Sequence, residues 1–590
     1  MTDVDGLLFN PRTYDPQYFD EPTRRLLRAT IDFFEGQGKH KLVTEEMGAG
    51  WPTEFVDFVK REKLFATFLT PAAYGGDDPA KRWDGARNHA LSEILGFYGM
   101  AYWYTEQVTI LGLGPIWQSA NEKAKLRAAA DLDDGQVMAF GLSERAHGAD
   151  VYQTDMILTP ADEADQARGI RYRANGTKYY IGNGNVASMV SVFGKFGEGA
   201  ELGEEAGANY AFFVADSRRP EYELIDNVVH MQLYVSTFAL HNYPVRDEDI
   251  LHTGVEAFAA ALNTVNVGKF NLCSGAIGMS EHSFYEAITH ADNRILYGNR
   301  VTDFSHVRAN FVEAYARILA MKLFSQRSVD YFRSASLEDR RYLLFNPLTK
   351  SKVTMEGERV INLLHDVIAA KGYEKYTMFR HFANIIGAYP RLEGTVHVNV
   401  GLVLKFMPNY MLNPAEYPEI GTRLDAVDDK FFFAQGPTRG AGRVQFADWK
   451  PAFERFSRID NVATFYGQAR KFADFLMTAG PDAEQQKGGE CERELLRLGR
   501  RAEVQRVAQR RDVLEGNDEG GAQQQEHHCE RRRRQVREFP LEIGVADGVT
   551  DGRTKRHGEE PRRDAALGAV EDDQCGAAES AEDAKPLPRA

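Results

Sequence analysis

Apolar residues recur at three- and four-residue spacing from about Asp20 to Asp133, most clearly in "EPTRRLLRATIDFFEG" and "GARNHALSEILGFYGMAYWYTEQ". That period predicts helices. "DLDDG" ends the pattern, and from Gln136 to about Leu251 alternation takes over in "GIRYRANGTKYYIGNG" and "ASMVSVFGKF". β-branched and aromatic residues gather in "ANYAFFVAD", with Gly and Asn at the turns, so a compact β-domain is expected there. After Thr253 the helical period returns through "VEAFAAALNTVNVGKFNLCSGAIGMSEHSFYEAITHADNRILYG", "FSHVRANFVEAYARILAMKLFSQRSVDYFRS" and "KVTMEGERVINLLHDVIAAKGY". The order helices, sheet, helices is not the strand-helix alternation of a doubly wound nucleotide fold. "LGLGPIWQ" follows no predicted strand and is a weak dinucleotide signal.

The predicted organisation is a helical domain over 1–133, a β-domain over 134–251, a helical bundle over 252–407 and an additional helical segment over 408–487. From 488 to 590 aliphatic and aromatic residues thin out, while Arg, Gly, Glu, Gln and Ala dominate without period. Such a segment buries too little apolar surface to offset its ordering entropy. It reads either as a disordered tail or as a stretch translated out of frame after Lys487. "CERRRRQVREF" and "EHHCE" lie inside it, where no predicted fold would position them for nucleic acid or a metal.

A formal net charge of -15 excludes a globally basic nucleic-acid binder. No apolar run reaches the roughly 18–20 residues that span a bilayer, and "MTDVDGLLFN" lacks a basic stretch followed by an apolar core, so a cytoplasmic location is expected. Of four cysteines only Cys273 lies in the body, with Cys491, Cys529 and Cys575 in the tail, which offers neither a disulfide framework nor paired metal-ligand spacing. No metal site is expected.

The chemistry-bearing stretches are "MAFGLSERAHGADVYQTD", "NGTKYYIGNGNVASMV", "ADNRILYGN" and "VIAAKGYEKY…YPRLEGT". Together, over roughly Asp20 to Met407, they resemble the acyl-CoA dehydrogenase flavoproteins. The first matches Tyr/Phe-x-x-Thr/Ser-Glu-Pro-x-x-Gly-Ser-Asp at most positions, the second Gly-x-Lys-x-Trp-Ile-Thr-Asn-Gly, the third Arg-x-x-Phe-Gly, and the fourth Gly-Gly-x-Gly-Tyr…Glu-Gly-Thr. Tyr373 and Glu393 are 20 residues apart, the family's usual spacing.

The resemblance implies a mainly helical fold with a central β-barrel and a C-terminal four-helix bundle, bound FAD, and α,β-dehydrogenation of an acyl-CoA thioester. Glu393 takes the place of the base that removes the α-proton; a thioester α-C–H is a poor acid, so the base must work in a water-poor pocket beside donors for the enolate oxygen. Phe140, Leu142, Ser143, Tyr180, Gly182, Arg294 and Thr395 take cofactor-binding places, Tyr180 packing on the isoalloxazine and Arg294 pairing with the pyrophosphate. Ala149, Lys269 and Gly394 take substrate-binding places. Implied partners are an electron-transfer flavoprotein and further subunits, as a homotetramer, a dimer of dimers or a hetero-oligomer.

Departures from the pattern fall on the same positions. Gly182 replaces a Thr, Arg145 a Pro and Ala149 a Ser. Asn266 and Lys269 stand for Asp and Arg, and Lys cannot reproduce a bidentate guanidinium fork. Ala369-Ala370, Ser305 and Asn384-Ile385 alter positions implied in FAD contacts between subunits. Two alternatives stand beside the dehydrogenase: an oxidase or flavin monooxygenase on the same scaffold, and a non-catalytic partner subunit. Taken from its own stretch alone, Glu393 reads rather as a residue favouring a helix N-terminus. His241 and His397 are assigned no role, and Met138 and Trp117 are expected in the core.

Overall fold

Asp20 starts the first helix by accepting the N–H of Thr23 at 3.1 Å, with Pro22 in the first turn. In the computed structural model, residues 7–478 are described apart from 49, 199–208, 230–232, 418, 424, 426 and 437–443. The 488–590 tail and its motifs therefore lie outside the described residues.

The first block is helical: α1 (Glu21–Gln37), α2 (Lys39–Glu46), α3 (Thr53–Glu62), α4 (Leu64–Leu69), α5 (Gly85–Tyr98), α6 (Met100–Gln118) and α7 (Glu122–Asp133). All of α5, and all of α6 except Gln118, is buried. The mostly apolar α6 belongs inside a core, whereas α5 buries His89 and Glu93 against polar partners, Ser274 and Lys322. "LGLGPIWQ" is part of α6 and forms no phosphate loop.

The sheet follows in β1 (Met138–Gly141), β2 (Ile157–Pro160), β3 (Tyr172–Gly182), β4 (Met189–Phe196), β5 (Tyr210–Ala215), β6 (Tyr222–Asn227), β7 (Val235–Val245) and β8 (Ile250–Thr253), with the short α8 (Glu163–Gln166) after β2. The expected barrel takes the form of one eight-stranded sheet, in the order β6-β7-β3-β2-β4-β5-β8, with β1 beside β4. Met156, Leu158, Val190, Val192, Phe213 and Phe238 are among the residues of its own core.

The third block is α9 (Gly254–Asn293), a small hairpin of β9 (Ile295–Leu296) and β10 (Asn299–Arg300), α10 (Ser305–Arg333), α11 (Tyr342–Ile368), α12 (Met378–Ile385) and α13 (Val396–Leu404). Helices α5 and α9 meet backbone to backbone: a Cβ on Gly96 would lie 2.5 Å from the Gly275 carbonyl oxygen, and one on Gly278 2.1 Å from that of Glu93. Lys322 on α10 ties three helices together, donating to Glu93 at 2.5 Å and Glu281 at 2.7 Å. Glu281 is fully buried, so the pair fixes helix register more than it adds stability.

After α14 (Met407–Leu412) the described chain is mostly irregular, apart from a 3-10 turn at Lys430–Phe433, up to α15 (Lys450–Glu454) and α16 (Asp460–Thr478), so the described part of the segment expected to be helical is helical in part. The irregular stretch runs back to the start of α5. Asp428 accepts the N–H of Trp83 at 3.0 Å, and Asp429 that of Gly85 at 2.6 Å. Asp429 also pairs with buried Arg333 at 3.2 Å. Met411, Trp449, Phe472 and Leu476 form a separate small core under α16.

Candidate active site

Glu393 sits in the turn between α12 and α13. Tyr389 anchors the start of this turn, its buried ring 4.6 Å from that of Trp103 on α6. Thr395 closes its end as the N-cap of α13, and Asn399 donates to the Gly394 carbonyl at 2.8 Å and to that of Thr395 at 3.0 Å. Between these anchors the backbone turns left-handed, with φ 52° at Glu393 and 86° at Gly394. Glycine adopts this region freely, whereas a residue with a Cβ gives up about 1–2 kcal/mol. The Thr395 hydroxyl is thus engaged in capping, and Glu393 precedes the helix instead of capping it.

The carboxylate faces α6 and α9. A Cβ on Gly268 would lie 3.6 Å from Glu393 Cδ and 2.7 Å from Gln107 Nε2. Gln107 donates to the Gly268 carbonyl at 3.1 Å and hydrogen-bonds Glu393. Two buried lysines complete the cluster: Lys269 on α9, 3.4 Å from Asn266 Oδ1, and Lys350 on α11. Burial raises the Glu393 pKa to about 7 against the opposing pull of Lys269, Lys350 and Gln107. Burial lowers Lys269, which Glu393 partly restores, and brings Lys350 down to about 7. A base poised near neutrality beside the Lys269 ammonium can take a proton from carbon and leave the resulting anion near positive charge.

Tyr104 on α6 joins this cluster to the sheet. A Cβ on Gly182, the last residue of β3, would lie 2.5 Å from Tyr104 Cε1 and 2.6 Å from Val108 Cγ2. The Tyr104 ring therefore takes the space that a larger residue at 182 would need. Burial, and then the nearby Glu393, hold its hydroxyl well above the ordinary tyrosine pKa.

Two residues before Gly182 the strand is bulged. The register with β7 shifts between Lys178 and Ile181, and Tyr180 has φ 64° with its ring 61% exposed. A bulky residue held left-handed, with a flat apolar face in solvent, carries about 1–3 kcal/mol of strain, a feature that clusters at ligand sites. The half-buried Tyr179 ring lies edge-to-face with that of Tyr180 at 4.4 Å and under Arg145 at 4.8 Å from its centroid. Ser143 is bonded to Tyr179 in both directions, accepting its N–H at 3.0 Å through the carbonyl and donating its hydroxyl to the Tyr179 carbonyl at 2.8 Å. Below it the fully buried Lys178 donates to the Leu142 carbonyl at 3.1 Å and to Glu144 at 2.6 Å.

Phe140 turns its ring inward against Phe212 and leaves only its backbone for a ligand. Ala149 is exposed in the loop after β1. Arg294 ends α9, exposed, and 25 residues of continuous helix place it about 37 Å along the axis from Lys269 at 1.5 Å per residue. Glu393, Gly394, Lys269 and Gly182 are thus brought together, Leu142, Ser143 and Tyr180 share the neighbouring sheet rim, and Arg294 lies elsewhere in this chain. Sequence reasoning missed Tyr104, Gln107 and Lys350. The available signal was a polar residue spaced like the core on a buried helix: Lys350 stands three and four residues from buried Val353 and Thr354.

His241 pairs with Glu223 on the sheet surface at 2.6 Å. Glu144, His147 and Asp155 bring ligand atoms within 4.8 Å of one another, but both Glu144 oxygens already accept protein donors.

Residues 257–407 match the family described as "Acyl-CoA dehydrogenase, C-terminal domain". The short-chain acyl-CoA dehydrogenase of Megasphaera elsdenii is 23% identical over 319 residues, covering 52% of this chain and 78% of that one. A caffeyl-CoA reductase-Etf complex subunit of Acetobacterium woodii is 23% identical over 334 residues, covering 55% and 81%. Among solved structures, butyryl-CoA dehydrogenase from Megasphaera elsdenii superposes with TM-score 0.58 at 18% identity over 66% of this chain and 98% of its own. A glutaryl-CoA dehydrogenase from Mycobacterium smegmatis in complex with FADH2 does so with TM-score 0.55 at 16% identity over 69% and 96%.

Proposed function

We propose, for a chain that belongs to the acyl-CoA dehydrogenase family, an FAD-dependent oxidoreductase that forms a Cα–Cβ double bond in an acyl-CoA thioester, with Glu393 as the base. The carrying observation is the Glu393 carboxylate, raised to about 7 and placed against Gly268 and Gln107 from a left-handed turn.

The residues present fit a flavin. The exposed ring of strained Tyr180 offers a stacking face, with the backbones of Phe140 and Leu142 and Ser143 along the same rim. When bound, FAD supplies the acceptor for the β-hydrogen as hydride. Glu393 takes the α-proton onto its carboxylate, and its own backbone N–H donates to the thioester oxygen as charge develops there. Gly394 and Lys269 border the thioester, and Ala149 lies toward the outer part of the substrate. Buried Tyr104, Gln107 and Leu111 on α6 keep water from this end of the site, which strengthens each of these interactions. A positioned base contributes about 10²–10⁴ in rate.

Arg294 is proposed to serve a second copy's FAD pyrophosphate, as expected of an assembly in which α9 ends far from its own base. The oligomer is then a homotetramer or dimer of dimers. Electrons are proposed to leave through an electron-transfer flavoprotein, in keeping with the Acetobacterium relative's name. Among the described residues no helix is long and apolar enough to cross a membrane; a cytoplasmic location remains part of this reading.

The test is an anaerobic visible spectrum of purified protein before and after straight-chain, branched, aryl and dicarboxylic acyl-CoA thioesters. Bleaching of bound flavin by one class is expected. A colourless protein, or a flavin that none of them bleaches, would favour a non-catalytic partner subunit. Oxygen consumption matching turnover would reassign it as an oxidase.

A further inference from the structure

The Lys350 side chain is wholly buried, yet its amine is in use. It donates to the carbonyl of Pro390 at 2.7 Å and to that of Gly394 at 2.6 Å. These two acceptors stand on either side of Glu393. The other restraints act on one half of the turn each: Arg391 and Leu392 donate to the Ala388 carbonyl at 2.8 and 3.1 Å, while Asn399 and the Thr395 cap hold the side leading into α13.

Among the described residues, Lys350 bonds to both halves, across a backbone holding Glu393 at φ 52°. A net contribution of about 0.5–1.5 kcal/mol per hydrogen bond makes the two together comparable to the left-handed strain.

We propose that Lys350 is a positioning residue for the base: by tying the Pro390 and Gly394 carbonyls together it holds the Glu393 carboxylate at Gly268 and Gln107. This rests on Glu393 being the base. Lys350 contacts the turn and not the substrate, so its effect belongs in the chemical step. Lys269 on α9, Glu393 and Arg391 of the turn, and Cys273 on α9 are the charged or titratable groups around it.

The experiment compares K350M, which keeps length and loses every donor, with K350R and K350Q, which keep donors with and without charge. All are read as flavin-loaded protein beside wild type and E393Q. For K350M, kcat is expected to fall about 100-fold, as for a group misplaced by about 1 Å, with KM within about threefold. Amide hydrogen exchange across residues 388–399, measured in loaded and flavin-free protein, is expected to rise at least about tenfold, with α9 and α11 unchanged. K350R or K350Q is expected to recover most of kcat.

Unchanged kcat in K350M with E393Q inactive would overturn the positioning role alone. An active E393Q would instead remove the base reading. Faster exchange throughout the protein in K350M, K350R and K350Q alike would reduce Lys350 to core support and overturn the proposal. If K350M does not fold, K350R and K350Q decide by the same kcat-to-KM split: near-normal turnover supports it, and equal loss in both overturns it.

Discussion

Replacing Gly182 by Thr should be harmful in this chain, although the family pattern has Thr there, and the cause is two side chains of α6, Tyr104 and Val108. A Cβ at 182 would approach Tyr104 Cε1 to 2.5 Å, Val108 Cγ2 to 2.6 Å and Tyr104 Cζ to 3.0 Å. Non-bonded carbons prefer about 3.5–4.0 Å, so the overlap is about 1 Å before the hydroxyl and methyl are added. The atoms in the way belong to residues buried in α6, which is itself buried on all sides, so relief requires moving a helix. Overpacking of this kind costs about 1–3 kcal/mol, and the rigid neighbours favour the upper end. Tyr104→Ala opens a cavity and costs about 3–5 kcal/mol alone. In the double variant the Thr enters space that the ring has left while the Val108 contact stays, so the two costs should fall short of their sum by about 1 kcal/mol, outside the roughly 0.3–0.5 kcal/mol of independent sites. Thermal melts of the four proteins at one scan rate and concentration measure this coupling. Additive shifts in Tm would refute the reasoning, and Gly182 would then have no packing cause.

Three further outcomes follow from buried charge. The kcat/KM profile should have an acid limb near pH 7, because Glu393 must be ionised to take a proton and its pKa is about 7. The folded state holds that proton above the pH at which the unfolded chain releases it, so the Glu393 contribution to stability declines as pH rises from about 4.5 to 7; a limb near 4.5 in E393D and wild type alike would contradict this. Lys178→Met should cost about 3–5 kcal/mol by leaving Glu144 buried and unpaired, and should weaken flavin retention by freeing the Leu142 carbonyl, as read by Tm and by flavin absorbance after gel filtration. Arg333→Met should cost about 3 kcal/mol by leaving Asp429 buried without its cation, Asp84 keeping Arg82, and should expose the stretch before α15 to limited proteolysis while leaving the flavin in place.

The helix-sheet-helix order was legible because each block keeps one period over many residues, and the Glu393 turn because Glu-Gly-Thr fell in register with three other motifs. The bulge at Tyr180 was not legible. Alternation predicts only that Tyr179 and Tyr180 face opposite ways, whereas the shift between Lys178 and Ile181 is a property of the pairing with β7. Lys350, Gln107 and Tyr104 escaped because each sits on a helix whose neighbours read as core, and what makes them functional is a turn far away in sequence. Nothing in "DDKFFF" points to the partners of Asp428 and Asp429, the N–H groups of Trp83 and Gly85 far back along the chain. Arg294 illustrates the converse: its motif matched, and the length of α9 carries it away from the base of its own chain.

The central claim is that Glu393 removes the α-proton. Its most direct test is stopped-flow anaerobic bleaching of flavin-loaded wild type and E393Q by an accepted acyl-CoA thioester, protiated or deuterated at Cα. The account predicts a primary isotope effect in wild type, and an E393Q protein that keeps its flavin spectrum and bleaches about 10²–10⁴ times more slowly. Bleaching of E393Q at the wild-type rate, with the same isotope effect, would contradict it.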